Sequence, residues 1–223
     1  MKLTIDNNIF ENGWDKNNAY VFGWIMSDGC LLKEGRNKTA YAVRISSNDY
    51  DIIEWLHTYL CVGNKIYKQG EKSFTIKFRN KEAISFMMDN ELTERKSLTV
   101  KFPNIPDNVL PDFIRGYFDG NGSVVLHKTK YNTYGQISIT SGSFEFLDSL
   151  QNKLQENNIV TRLYKDSRPT NGSYYLKVIK RKEIEKMYNY MYSDLNDIAY
   201  LQRKYDKYTE LINCKPKYQS HIV

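Results

Sequence analysis

The chain contains the same local pattern twice, at residues 20–29 and 113–122. Each stretch is an apolar run with a Gly in its middle, and it ends in a small residue, an Asp or Asn, and a Gly. Such a run, with a Gly just past its end, predicts a helix. Gly23 and Gly116 fall inside these helices, where Gly costs about 1 kcal/mol relative to Ala. That cost is reasonable where two helix backbones touch, so the repeat predicts two similar halves paired through these helices about a pseudo-twofold axis.

Alternating patterns place the other elements of each half. Segments in which apolar and polar residues alternate predict strands at residues 41–46, 65–68 and 74–78, and again at 136–140, 161–165 and 174–178. Asn48 or Asp49 is predicted to cap a helix that runs through Leu60, and Ser143 one that runs through about Gln155. Each half then follows the order αββαββα. The sequence therefore predicts an α+β fold made of two pseudo-symmetric repeats.

A proline-containing segment separates the two halves. Residues 102–107 include Pro103 and Pro106, which disfavour helix, and they lead into a helix predicted from about Val109. We therefore predict a first repeat at 1–101, a linker at 102–108 and a second repeat at 109–223.

Composition limits the class of protein. The net charge is +6 and the pI is about 9.0, which weakly favours a polyanionic partner. The N-terminus lacks a signal-peptide core, and no apolar run reaches the roughly 18 residues that indicate a membrane span. We therefore expect a soluble protein in the cytoplasm. The abundance of Asn, Lys, Tyr and Ile favours an AT-rich source, such as a bacterium, a phage-infected cell or an organelle. Three scattered cysteines and three unpaired histidines argue against disulfide frameworks and zinc sites, so a metal would bind through oxygen.

The ends of the paired helices carry the chemistry. Pairing brings Asp28 near Asn121, and a carboxylate at the negative end of a helix dipole is disfavoured unless a cation joins it. Mg²⁺ uses one or two carboxylates together with waters and substrate phosphate oxygens. This arrangement suits metal-assisted hydrolysis of a phosphodiester. Either motif alone is more typical of a core helix with a glycine stop, and it is the occurrence of two matching motifs that calls for a joint explanation.

The two motifs resemble those of the LAGLIDADG homing endonucleases in their single-chain form. Residues 21–29 and 114–122 lie on the first and second motif, and the resemblance extends from about Tyr20 to Tyr208. The second motif matches more specifically, because Met26 stands in the first motif where the family has an earlier Asp. The resemblance implies that the motif helices form the interface between halves. It also implies that each half presents a curved antiparallel sheet to the major groove of DNA.

The family's metal-binding acid corresponds to Asp28 in the first motif, and Asn121 stands at the second position. The resemblance makes both residues catalytic and metal-binding, with Mg²⁺ as the cofactor and Mn²⁺ able to substitute. An Asn offers a neutral carbonyl oxygen, so metal affinity in that half should be lower. Asp119 does not replace it, because two positions along a helix turn a side chain by about 200°.

The family commonly places a lysine from a strand near each phosphate that is cleaved. Lys77 and Lys177 occupy equivalent strand positions, so the resemblance makes them candidates for stabilising transition-state charge. They are equally well explained as solvated or phosphate-binding lysines. An Arg-Lys pair closes each repeat, and these residues fit phosphate contacts or exposed helix ends: Arg95, Lys96, Arg203 and Lys204.

Polar side chains on the strands are candidates for reading DNA. Arg and Gln bond bidentately to guanine and adenine edges, whereas Lys and Ser discriminate less. The candidates, all opposite apolar positions, are Arg44, Ser46, Thr75, Lys77, Arg79, Gln136, Ser138, Thr140 and Lys177. Arg162, Lys165 and Lys180 belong to a basic region that we expect to contact phosphates, although edge-strand lysines are often only solvated. Such faces could read a long, nonpalindromic site.

Two functions follow from this pattern. The first is a monomeric, site-specific double-strand DNA endonuclease that depends on Mg²⁺ and cuts the two strands at unequal rates. The alternative is a DNA- or RNA-binding protein of the same fold that does not cleave, such as a regulator or an intron-splicing factor. An unrelated α+β protein with two packing helices is the remaining reading. The chain has no recognisable splicing blocks, which favours a freestanding protein.

Overall fold

The computed structural model describes residues 9–36, 40–128, 133–167, 172–195 and 199–214, and within them the chain forms two halves of the same design. The first half contains α1 (Lys16–Asp28), β1 (Gly29–Glu34), β2 (Ala40–Ser47), α2 (Tyr50–Tyr59), β3 (Tyr67–Gln69), β4 (Ser73–Phe78) and α3 (Lys81–Asp89). A short 3₁₀ helix, Lys96–Leu98, follows. The second half contains α4 (Leu110–Asn121), β5 (Gly122–Lys128), β6 (Thr133–Ser141), α5 (Phe144–Glu156), β7 (Arg162–Lys165), β8 (Tyr174–Val178), α6 (Arg181–Tyr192) and α7 (Gln202–Asn213). The predicted αββαββα order is confirmed in both halves, and the second half continues with an additional helix, α7.

Each half has one four-stranded antiparallel sheet. The strand orders are β1-β2-β4-β3 and β5-β6-β8-β7. Corresponding rows cross the two sheets: Cys30 pairs with Arg44 and Arg44 with Lys77, while Ser123 pairs with Ser138 and Ser138 with Lys177. The sheets are therefore equivalent in topology and in register.

The helix starts follow their capping residues. Ser143 precedes α5 and its hydroxyl accepts a hydrogen bond from the Phe146 N–H at 3.2 Å, as the sequence predicts. Asp49 precedes α2, but its side chain makes no capping bond. Its carboxylate instead pairs with Arg203, which lies in the other half.

Helices α1 and α4 cross at the two predicted glycines. A Cβ on Gly23 would lie 2.1 Å from the Phe113 carbonyl oxygen, and one on Gly116 would lie 2.0 Å from the Tyr20 carbonyl oxygen. Real Cβ atoms do not approach backbone this closely, so only Gly fits at either position. The crossing is reciprocal, and it places the C-terminal ends of both helices side by side.

Apolar residues fill the space between each sheet and its helices. Val43, Ile45 and Ile76 are fully buried on the inner face of the first sheet, and Ile52 and Leu56 of α2 pack in the same core. The polar residues between them in sequence face outward. The outer faces of both sheets thus carry polar and charged side chains. Among the described residues, no helix is long and apolar enough to span a bilayer.

Candidate functional site

The structure brings the ends of the two motif helices together. Asp28 and Asn121 are the last residues of α1 and α4. A Cβ on Gly120 would lie 1.8 Å from the Ser27 Oγ and 3.2 Å from the Asp28 Oδ2, so the Asp28 carboxylate lies against the end of α4. The motif residues predicted to share a site are therefore neighbours across the interface between halves.

The Asp28 side chain is exposed, yet protein surrounds much of its carboxylate. Partial loss of solvent raises the pKa of Asp28, and the positive charges of Lys204 and Lys96 oppose the shift. Loss of solvent is the larger effect. A carboxylate in this state is stabilised by an additional cation.

Two buried lysines lie at the helix ends beside Asp28. The Lys204 ammonium donates to the carbonyl oxygens of Phe118 at 2.8 Å, Asp119 at 2.6 Å and Gly120 at 3.2 Å. The Lys96 ammonium donates to the Ser27 carbonyl at 3.3 Å. Each lysine thus bonds carbonyls at the end of a motif helix, where a positive charge is favourable, and the Phe118 carbonyl also accepts from the Gly122 N–H.

Burial changes the acidity of both lysines. It lowers the pKa of Lys96 to about 8 against the attraction of Asp28, and that of Lys204 to about 8 against the attraction of Asp119. The interpretation of these two residues as exposed helix ends is wrong, because Lys96 is only 7% and Lys204 only 6% exposed. Their partners in the Arg-Lys pairs, Arg95 and Arg203, are exposed.

Asn121 lies in a different environment from Asp28. It lines a small cavity of about 130 Å³ together with Lys96, Tyr117 and Ser141. Burial raises the pKa of the Tyr117 hydroxyl, and hydrogen bonds with the side chains of Ser141 and Asn121 oppose that shift. The second motif therefore ends in neutral hydrogen-bonding groups beside one lysine, whereas the first ends in a carboxylate.

Asp119 is unavailable to this site. It is 1% exposed, and its Oδ2 accepts hydrogen bonds from the Tyr20 hydroxyl at 2.9 Å and from the Leu201 N–H at 2.8 Å. Burial raises the pKa of Asp119 to about 6. The Asp119 carboxylate lies between α4 and the segment that precedes α7. It is therefore on a different face of α4 from Asn121, as its position two residues earlier predicts.

Lys77 and Lys177 lie on the outer faces of the sheets. The Lys77 ammonium pairs with Glu34, and the Lys177 ammonium lies over the rings of Tyr164 at 5.3 Å and Tyr175 at 5.9 Å. Among the described residues, neither lysine contributes to the electrostatic environment of Asp28. Their catalytic role stays a prediction.

The other candidate DNA contacts divide by exposure. Arg44, Arg79, Arg95, Arg162, Lys165, Lys180 and Arg203 are exposed, while Ser46, Gln136, Ser138 and Thr140 are half-buried. Thr75 is 9% exposed and its hydroxyl bonds that of Ser46 at 2.8 Å, so it supports the sheet face more than it extends from it. Arg203 forms a bidentate ion pair with Asp49, in which its Nε and Nη2 donate to the two carboxylate oxygens at 2.7 and 2.8 Å.

The donor set fits a divalent metal that binds together with its substrate. No three His, Cys, Asp or Glu side chains of the described ranges form a metal cluster. Asp28 offers one carboxylate at a helix end where carbonyls concentrate negative charge. Mg²⁺ commonly takes its remaining oxygens from water and phosphate. A metal here would therefore depend on a phosphate as well as on protein.

Comparison with known sequences gives a partial match. Residues 109–191 match the family model described as a LAGLIDADG-like domain. The "Probable translation initiation factor IF-2" of Methanocaldococcus jannaschii is 28% identical over 208 residues, and that of Thermococcus kodakarensis is 27% identical over 136 residues. These alignments cover 85% and 57% of this chain but only 16% and 11% of the relatives' lengths.

Solved structures with a similar fold match most of this chain and most of their own length. The meganuclease I-SmaMI bound to uncleavable DNA has a TM-score of 0.61 at 16% identity, covering 88% of this chain and 90% of its own. I-AabMI bound to uncleaved DNA gives 0.60 at 15%, covering 87% and 89%. I-GzeII in complex with its DNA target gives 0.59 at 12%, covering 88% and 89%. Identities this low establish a shared fold.

Proposed function

Because the chain has the LAGLIDADG homing endonuclease fold, we propose that it is a site-specific DNA endonuclease whose two active sites are unequal. The observation that carries the proposal is the junction of the motif helices, where Asp28 meets the end of α4 between two buried lysines. The single chain supplies both halves, so we propose a monomer. Its repeats are residues 1–101 and 109–223, joined by the linker at 102–108.

The outer faces of the sheets are the proposed DNA surface. They carry exposed cations such as Arg44, Arg79 and Arg162, with half-buried polar groups such as Gln136 between them. Each phosphate that such a cation neutralises releases counterions, so binding should weaken with salt at a slope of about −0.9 per contact. The two faces differ in sequence, which suits a long nonpalindromic target.

Asp28 is the proposed metal ligand, and Asn121 offers an amide oxygen in the second half. Bound Mg²⁺, or Mn²⁺ in its place, would activate water and stabilise the leaving oxygen. Lys96 and Lys204 hold the two helix ends by bonding their carbonyls, and they place positive charge beside Asp28. A fixed positive charge stabilises a phosphate that gains charge in the transition state.

The difference between Asp28 and Asn121 predicts unequal strand cleavage. A carboxylate binds a divalent cation more strongly than an amide, so the site that depends on Asn121 should turn over more slowly. Nicked DNA should accumulate before linear DNA. Asn121→Asp should speed the slow strand.

The test uses supercoiled plasmid that carries the DNA flanking the gene, with Mg²⁺ or Mn²⁺. Asp28→Asn should abolish the fast cut, while Asn121→Asp should raise the rate of linearisation relative to nicking. Asp89→Asn is the matched control, because Asp89 is also an exposed Asp at the end of a helix but lies outside the site. Cleavage that persists in Asp28→Asn would contradict the assignment of Asp28.

The non-cleaving DNA- or RNA-binding function is the second candidate, and Asn121 is the observation that favours it. A protein that binds nucleic acid needs the basic faces but not the second acid. Binding without any strand break by wild type, with either metal, would support this function instead. Unchanged linearisation by Asn121→Asp in a cleaving protein would show that Asn121 does not limit the slow strand.

A further inference from the structure

One carboxylate lies among the cations on the outer face of the first sheet. Glu34 ends β1, and its Oε1 pairs with the Lys77 ammonium while its Oε2 accepts from the Arg79 Nε at 2.7 Å. The bond from Arg79, followed by that from Lys77, lowers the pKa of Glu34. A single acidic side chain thus ties β1 to the end of β4, across β2. We call Glu34, Lys77 and Arg79 the triad.

The triad lies on the face that is proposed to meet DNA. Val43 and Ile45 point into the core, so their neighbours on β2 point outward, and Lys77 pairs in register with the outward Arg44. Ala42 is also on the outward side, yet it is fully buried. Neighbouring side chains on this face therefore cover Ala42, although Arg44 and Arg79 remain exposed.

Among the residues of the second sheet that the structure describes, this arrangement is absent. The counterparts of Glu34, Lys77 and Arg79 are His127, Lys177 and Ile179, judged by the corresponding strand positions. Lys177 instead lies over tyrosine rings. The triad is therefore a property of the first half alone, so it would contribute to reading only one half of a target.

The charges of the triad are only partly satisfied within the protein. Arg79 uses its Nε for Glu34, and among the described residues its two terminal nitrogens have no acceptor. The side chains of Arg79 and Lys77 remain 45% and 29% exposed. A carboxylate has about four lone-pair sites, so Glu34 can still accept a further hydrogen bond while it holds both cations.

We propose that Glu34 is a specificity-determining residue of the first sheet, and that the triad reads a G·C base pair in the major groove. The inference rests on the proposed function. Arg79 offers paired donors to guanine O6 and N7, and Glu34 accepts from the cytosine N4 amino group. At an A·T pair the thymine O4 would face the carboxylate, and two acceptors repel. At a T·A pair the thymine O4 would offer the Arg79 guanidinium one acceptor in place of the paired O6 and N7 of guanine. Glu34 also opposes binding to DNA of arbitrary sequence, because it neutralises two cations that would otherwise bind phosphates.

The experiment selects bound sequences from a duplex library that is randomised over the length of both sheets, in EDTA so that cleavage does not interfere. Wild type should require G·C at one position of one half-site. Glu34→Gln should reduce that preference about tenfold or more and leave the other positions unchanged. Arg79→Met should affect the same position. On a duplex of fixed unrelated sequence, Glu34→Gln should bind more tightly, with a salt slope steeper by about 0.9 for each cation released.

Glu54→Gln is the matched control. It makes the same change of charge in the same half, but Glu54 is an exposed residue of α2, which packs behind the sheet. Equal effects of Glu54→Gln and Glu34→Gln, or an unchanged preference in Glu34→Gln, would overturn the inference while leaving the proposed function intact. A wild-type protein that selects no sequence would overturn the proposed function and this inference together.

Discussion

Replacing Gly23 with Ala should destabilise the protein through the crossing of α1 and α4. The new Cβ would lie 2.1 Å from the Phe113 carbonyl oxygen and 2.8 Å from the Tyr117 nitrogen. Both are backbone atoms, so no side-chain rotation relieves the contact. The helices must separate by about 1 Å, and a gap of that size forfeits a quarter to a half of the attraction between facing atoms.

The size of the effect follows from two opposing terms. Overpacking costs about 3 kcal/mol at the upper end of its usual range, and the lost contacts along both helices add about 1 kcal/mol more. Ala offsets about 1 kcal/mol through its higher helix propensity. We therefore expect a net loss of about 3 kcal/mol in the free energy of unfolding. The ends of α1 and α4 should also shift, so cleavage should slow.

Urea unfolding, followed by tryptophan fluorescence and far-UV circular dichroism, measures the loss. Gly63→Ala is the matched control, because a Cβ on Gly63 meets nothing within 4 Å, and it should change stability by less than about 0.5 kcal/mol. Gly116→Ala clashes across the same crossing, so the double variant with Gly23→Ala should cost clearly less than the sum of the two. A Gly23→Ala protein as stable as Gly63→Ala would refute the close backbone contact.

Three further changes test the buried charges. In the folded protein Asp119 has a pKa of about 6, whereas in the unfolded chain a carboxyl of this kind releases its proton near pH 4. The stability of wild type relative to Asp119→Asn should therefore fall by on the order of 3 kcal/mol as the pH rises between these values. Lys204 has a pKa of about 8 when folded and 10.5 when unfolded, so wild-type stability should rise between these values, and Lys204→Met should flatten that rise in urea titrations at each pH. Arg115→Met should cost about 3 kcal/mol or more in the same assay, because it leaves the buried Asp112 without its 2.8 Å partner, and Asp112→Leu added to it should recover part of the loss.

The sequence predicts those parts of the fold in which a local residue pattern follows directly from how that segment packs. The glycine crossing is predicted because close backbone contact excludes every other residue, and β2 and β6 are predicted because one face of each is buried. The pattern does not locate β1 and β5, since these strands begin directly after the motif helices. Strand β3 lies at 67–69, not at 65–68, and all three of its residues are exposed, so burial gives its register no signal.

The candidate site is less predictable, because its partners are distant in the chain. The motif repeat pairs Asp28 with Asn121, but an Arg-Lys pair does not indicate which side chain turns inward. In the structure Lys204 reaches the carbonyls of α4 while Arg203 finds Asp49 in the other half. The pairing of Glu34 with β4 is likewise invisible until the strand order is known. Contacts of this kind depend on topology and not on local pattern.

The hydrogen bond from the Tyr20 hydroxyl to Asp119 joins the two halves, and neither half could take the place of the other in it. In a pair of two second halves, the position of Tyr20 would be taken by Phe113, which has no hydroxyl, and each buried Asp119 would lose a donor. In a pair of two first halves, Met26 would occupy the position of Asp119, so the Tyr20 hydroxyl would lose its carboxylate acceptor. Separated halves would therefore choose each other over copies of themselves. The interface therefore favours one half of each kind over two copies of the same half, so the outer sheet faces of the two halves are free to differ.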